Sequence, residues 1–342
     1  METIKGYVEK LGSNFLVAAM VPSLTLVTAI IIVFEPILHV SWKFQDEGSI
    51  YQLIGSGLLL SIPTIIIGFT LTALNTFILK FFEGYIFVHH FPFVKKAQIM
   101  KAKKLEAKRD ALEKRISVLE GRKKKTERTI ALLTVLKSKY YSTAAEYDQS
   151  FPPSLEQILP TQFGNILKAS ESYSSTRYGI DSVSFWPRLI HVIPPSYQQA
   201  IDETRNELSF LVNVSVLSLL FTLLCLLGVV YNSLAPIILP DLQDIELIYT
   251  YRYVAAGLAS LLCSLLFHRA SLVMVDSFGV MIRSAYDLFR LHLLEHLRLE
   301  LPHDSEEEFY IWKNLGEFIV LGNFSLGFDF LEYDLKERKG NP

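Results

Sequence analysis

Cysteine is nearly absent from this chain: Cys225 and Cys263 are the 2 it holds, and both fall inside long apolar runs. Thiols in such runs behave as small apolar side chains, so a disulfide framework and a cysteine metal site are both excluded. The phosphate and dinucleotide signatures are missing too. Gly322-Asn323-Phe324-Ser325-Leu326-Gly327 has neither the spacing nor the lysine of a P-loop, and no G-x-G-x-x-G stretch occurs. No catalytic signature leads the reading and nothing in the sequence calls for a cofactor, so a non-enzymatic protein is expected.

Charge is the other scarce commodity, and its absence is local. Half of the 342 residues are hydrophobic and the mean hydropathy is +0.30. Four stretches carry almost no charge, near 14–39, 53–79, 208–233 and 248–272. Crossing a bilayer takes roughly 20 consecutive apolar residues as helix, because backbone amides in hydrocarbon must be satisfied within the segment. The sequence therefore predicts a mostly α integral membrane protein with four transmembrane helices. The first run has no cleavage site after it and is longer than a signal peptide's apolar core, so it reads as an uncleaved anchor. Mid-span ionisable residues are lacking, which disfavours a proton relay or a charge-coupled transporter.

The basic residues are unevenly placed. The connections at 40–52 and 234–252 hold one each, Lys43 and Arg252, whereas 81–207 holds twenty and the segment after 268 holds eight. Lysine and arginine stay on the cytoplasmic side, so both termini and the long central region are expected in the cytoplasm, with the chain in the cytoplasmic (inner) membrane. This divides the chain into a transmembrane hairpin at 1–80, a cytoplasmic region at 81–207, a second hairpin at 208–275 and an acidic helical tail at 276–342. Residues 1–13 read as a short amphipathic lead.

Between about 97 and 147 there is no proline and one glycine. Leu105, Leu112, Leu119, Thr126, Leu133 and Tyr140 recur every seven residues, a coiled-coil-like seam broken by Gly121-Arg122-Lys123-Lys124-Lys125. One long helix pairing between protomers and a hairpin turning at Gly121 both fit. From Lys95 to Lys139 there are sixteen basic and five acidic residues, while from His268 to the end the acidic residues outnumber the basic ones thirteen to eight. Anionic lipid or an acidic protein surface is the partner expected for the basic helix, beyond the bilayer and self-association; nucleic acid is disfavoured next to a membrane.

Three groups of residues stand out as candidate sites. Small and polar residues line one face of the second span (Gly57, Ser61, Thr64, Gly68, Thr72, Asn75) and of the third (Ser215, Ser218, Thr222, Cys225, Asn232). Close helix packing is the bland reading and the lining of an oligomeric pore the sharper one. His292-Leu293-Leu294-Glu295-His296 spells H-x-x-E-H, in which His292 and His296 share a helical face beside Glu295, an order used by some zinc hydrolases; a packed or interfacial histidine pair is the plainer expectation. Adjacent His89 and His90 lack a third ligand nearby. In the tail, Ser305 ahead of three glutamates reads as a helix N-cap.

The irregular stretch at 148–207 reads as an ordered cap. Leu159-Pro160-Thr161-Gln162-Phe163-Gly164-Asn165-Ile166-Leu167, Arg177-Tyr178-Gly179-Ile180-Asp181 and Trp186-Pro187-Arg188-Leu189, with Ala285-Tyr286-Asp287-Leu288-Phe289-Arg290 further on, resemble segments of a set of bacterial multi-pass membrane proteins. That resemblance implies a bacterial cytoplasmic membrane and brings no activity with it. Physically, Thr161 can cap a helix, Gly164 permits close approach beside Asn165, and Trp186 suits an interface. Arg177, Asp181 and Arg188 are expected to form one charged network. Three functions follow: a homo-oligomeric channel gated from the cytoplasm, a membrane-anchored scaffold recruiting a soluble partner through the basic helix, or a zinc-dependent membrane hydrolase.

Overall fold

The computed structural model of the chain describes residues 16–38, 50–86, 92–122, 126–238 and 247–322. The expected lead at 1–13, the His89–His90 pair, the lysines at 123–125 and the glycine-containing stretch beyond 322 lie outside the described residues. Among the described residues the structure is helical throughout, with no strand. The chain folds as two compact units: Met1–Leu79 with Glu203–Met274, and Lys80–Asp202 with Val275–Pro342.

Four helices are long and apolar enough to cross a membrane, over Val17–Glu35, Gly57–Glu83, Pro195–Leu234 and Tyr249–His296. In the first, a π-helical turn Leu16–Met20 leads into α1, Val21–Leu38. Pro22 explains the widened turn. It has no N–H to give the carbonyl of Ala18, four residues back, and in a dry interior that acceptor needs another donor. Asn213 supplies it, its amide nitrogen donating to Ala18 O at 2.8 Å, while Ser23 Oγ donates to Ala19 O at 2.7 Å.

The second span is α2, Ile50–Glu83. Thr64, Gly68, Leu71, Ile78 and Phe82 are buried at successive intervals of four, three, seven and four residues, a narrow seam of the kind that faces neighbouring helices. Its other faces expose Leu58, Ile66, Phe69 and Phe77. The third and fourth spans are longer than their apolar stretches. α7 runs unbroken over Pro195–Ile238 for 44 residues and α8 over Leu247–His296 for 50. Charged residues such as Arg205 and Arg269 end the apolar run without ending the helix, because a helix satisfies its backbone equally well in lipid and in water.

In the second unit, α3 (Pro92–Glu120) and α4 (Glu127–Ser150) pack against each other as a hairpin. Of the two arrangements the heptads allow, the hairpin is the one formed. Gly121 ends α3, and Thr126, a seam position in the heptad reading, instead caps α4 by accepting from Thr129 N at 3.3 Å. Leu112, Ile116 and Leu119 meet Leu133, Leu136 and Tyr140 near the turn, with Lys137 and Glu120 paired across the arms at 2.7 Å. At the open end Ala102 packs with Tyr147, Phe151 and Ile158.

The cap holds α5, Gln162–Tyr178, and α6, Ser182–Leu189; the tail holds α9, Ser305–Leu321. One core joins these three with the lower part of α8: Phe185, Leu189, Tyr286, Leu294 and Trp312 are all at most 1% exposed. The cap of α9 is Asp304 and not Ser305. The Asp304 carboxylate accepts from Glu306 N and Glu307 N at 2.9 and 2.8 Å, which only a residue one place earlier can do once Ser305 itself is helical.

Candidate functional site

The polar stripe of the third span is spent inside the chain. Ser215 Oγ donates to Ser264 O at 3.1 Å, and Ser264 Oγ donates to Ser215 O at 2.9 Å. Ser260 Oγ donates to Ser218 O at 2.6 Å, Ser218 Oγ to Cys263 Sγ at 3.5 Å, and Thr222 Oγ1 to Ser218 O at 2.9 Å. Further along, a Cβ on Gly257 would stand 3.2 Å from that of Cys225, and Gly228 lies against the ring of Tyr253. Reciprocal serine bonds and small residues let α7 and α8 approach closely, which is the packing use of such a stripe. Asn232 is buried on the same helix.

On the second span the stripe divides. Thr64 and Gly68 lie in the buried seam, Asn75 is partly buried, and Ser61, Thr72 and Gly57 are exposed. Thr64 and Thr72 turn their hydroxyls back to Leu60 O and Gly68 O at 2.6 and 3.0 Å.

The histidines of H-x-x-E-H do not form a packed pair. His292, Glu295 and His296 are all exposed, and His296 Nδ1 stands 3.1 Å from His292 O. The buried residues here are Leu293 and Leu294, which join the core beside Ala285 and Tyr286. Among the described residues no group of three His, Cys, Asp or Glu is placed to hold a metal ion.

The cap residues fall into local motifs. Thr161 Oγ1 caps α5 by accepting from Gly164 N at 3.0 Å. Asn165, fully buried, clasps Leu159 through both backbone groups at 2.6 and 2.9 Å. A Cβ on Gly164 would run into the backbone of Glu83, so glycine is what allows the last turn of α2 to lie on α5. Asp181 caps α6, accepting from Ser184 N at 3.1 Å, and Arg188 Nη1 donates to Ser184 O at 2.8 Å. Arg177 instead stacks over the Tyr173 ring at 4.9 Å, so Arg177, Asp181 and Arg188 do not make the single network expected of them. Trp186 packs at the margin of the core, 6.2 Å from Tyr286, whose hydroxyl donates to Ser182 O at 2.7 Å.

A different polar cluster forms between α5 and α8. Tyr173 and Tyr178 both donate to the Asp287 carboxylate, at 3.0 and 2.7 Å. Arg290 covers the Tyr178 ring at 3.9 Å and pairs with Glu308 on α9 at 2.7 Å, the two side chains being 17% and 10% exposed. Gly179, at φ 77°, turns the chain under the backbone of Phe309, where a Cβ would come within 2.6 Å of the carbonyl oxygen. Burial, and next the bond to Asp287, pushes the Tyr178 phenol up to about 12, so it remains a donor across the physiological range. The chemistry is that of a latch: two phenols hold Asp287 of α8 to the cap, and the Arg290 guanidinium links α8 to α9.

The hairpin carries the largest unspent feature. Met100, Ala107, Ala111 and Val118 lie on the outer face of α3 at heptad spacing, all exposed, Met100 by 58% and Val118 by 66%. Lys96, Lys103, Lys104 and Lys114 flank them, also exposed. Sequence reading followed the leucine row of this helix and passed over the second row, whose alanines gave it little weight. Comparison of the chain with protein-family models, curated proteins and solved structures finds no match.

Proposed function

We propose that the chain is a non-enzymatic, membrane-anchored recruitment protein of the cytoplasmic membrane, with both termini and the helical unit inside the cell. In this reading four spans hold a basic helical hairpin at the inner face, where it receives an acidic helical segment of a soluble partner. The outer row of α3 carries the proposal. An apolar row at heptad spacing with lysines on both flanks is the arrangement by which a helix takes a second helix of opposite charge, the apolar row giving contact area and the flanks giving selectivity. Like charges on this face oppose pairing with the same face of another copy.

A photoreactive amino acid placed at Met100, Ala107 or Val118 is expected to capture one discrete acidic protein in native membranes, with less adduct at high salt. Ser142 and Glu146, exposed on α4, serve as control positions. Adducts no stronger than those controls would sink the reading.

A pore made by several copies is the second reading. Ser61 and Thr72 favour it, being exposed on α2. Against it stands the third-span stripe, whose Ser215, Ser218 and Thr222 are already bonded to partners within the chain.

A further inference from the structure

Just beyond the second span lies a cavity of about 510 Å³, lined by Gly84, Tyr85, Pro92, Lys95, Lys96, Ile99, Ile158, Leu159 and Pro160. Gly84, at φ 89°, ends α2 and is wedged against Thr161 and Pro160, which fixes this mouth in place. Its wall has two characters. Lys95, whose Nζ donates to Glu156 O at 3.3 Å, and exposed Lys96 supply positive charge, and Tyr85 adds a phenol. Ile99, Ile158 and the prolines supply apolar surface.

We infer that this cavity binds the phosphate-bearing headgroup of an anionic phospholipid of the inner leaflet. The uncharged apolar run of α2 ends at Leu79, before Lys80, so Gly84 and Tyr85 stand about one helical turn beyond it, at the level of the headgroups. Two lysines at that depth meet lipid phosphate at short range, each contributing attraction that a zwitterionic headgroup offsets. The apolar half of the wall favours a lipid over a free phosphate ion, which would leave Ile99 and Ile158 wet while the glycerol and first methylenes of a lipid cover them. Burial raises the Tyr85 phenol above its ordinary value, so it stays a hydrogen-bond donor to the phosphate oxygens. The inference rests on the membrane-anchored, cytoplasm-facing arrangement proposed above, and it adds a specific lipid site distinct from the general charge of the hairpin.

The full chain, purified in detergent, is titrated with phosphatidylglycerol, with phosphatidylcholine of the same acyl chains, and with inorganic phosphate, and bound ligand is counted by native mass spectrometry. Phosphatidylglycerol should bind preferentially, and Lys95→Ala with Lys96→Ala should weaken it about tenfold. Lys101→Ala with Lys108→Ala removes equal charge from exposed positions of the same helix outside the cavity, and should change binding less than about twofold. Equal losses in the two double variants, or no loss in either, would overturn the site. Inorganic phosphate binding as well as the lipid, with the same dependence on Lys95 and Lys96, would assign the cavity to a soluble anion and overturn the lipid. Release of the wild-type chain from membranes by alkaline carbonate would instead show that the anchoring itself fails.

Discussion

Replacing Glu308 by alanine is expected to free the C-terminal helix from the cap and to cost the second unit about 3 kcal/mol. Glu308 and Arg290 are largely buried, 10% and 17% exposed, and their 2.7 Å bond is the charged link between α9 and α8. Removing the carboxylate leaves a guanidinium half out of water, held by the Tyr178 ring at 3.9 Å and by the Asp287 carbonyl. That penalty exceeds the value of the pair itself, since an unpaired buried charge keeps its desolvation cost. Hydrogen exchange across Ser305–Leu321 reads the effect directly. Amides of α9 should exchange at least tenfold faster in the variant, while those of the α3–α4 hairpin keep their protection. Unchanged protection of α9 would show that its apolar face alone holds it.

Trp312→Ala should be as damaging or more so, at about 3–5 kcal/mol, because the ring is fully buried and packs edge-on to Phe185 at 5.3 Å. Trp312→Phe separates volume from polarity. Among the described residues the indole Nε1 has no hydrogen-bond partner, so phenylalanine gives up packing volume and little else, and should cost about 1 kcal/mol. Thermal melts of the two variants in detergent should therefore differ widely. Equal destabilisation would mean that the indole N–H does hold a partner.

These two predictions concern contacts that the sequence did not disclose, and the reason is separation along the chain. Arg177, Asp181 and Arg188 look like a network because they are neighbours in sequence. Capping uses up Asp181, however, and Arg177 turns onto Tyr173. The partners that matter, Asp287 and Glu308, lie on other helices, Asp287 being 114 residues from Tyr173. The spans were legible because an uncharged apolar run has one physical outcome in a long helix. Arg205 and His268-Arg269 mark a change of solvent and leave the helical hydrogen-bonding unchanged, so both helices run on past their apolar stretches. Gly121 offered both a break and a turn. The choice fell to tertiary contact, with Leu112, Ile116 and Leu119 finding Leu133, Leu136 and Tyr140 within the chain. The small-polar stripe of the third span was visible, but its use depended on Ser260 and Ser264, which drew no notice on a helix read only for its hydropathy. Next to the exposed His292 and His296, the helix buries Leu293 and Leu294.

Recruitment by the hairpin and lipid capture at Lys95 and Lys96 both require that this unit face the cytoplasm. Orientation is read most directly by labelling single cysteines with a membrane-impermeant maleimide in intact cells, in a background where Cys225 and Cys263 are replaced by alanine. A cysteine at Ser142 in the hairpin should react only after the cells are opened, whereas one at Asp241, in the connection between the third and fourth spans, should react from outside. Labelling of Ser142→Cys in intact cells with protection of Asp241→Cys would invert the arrangement and contradict the account.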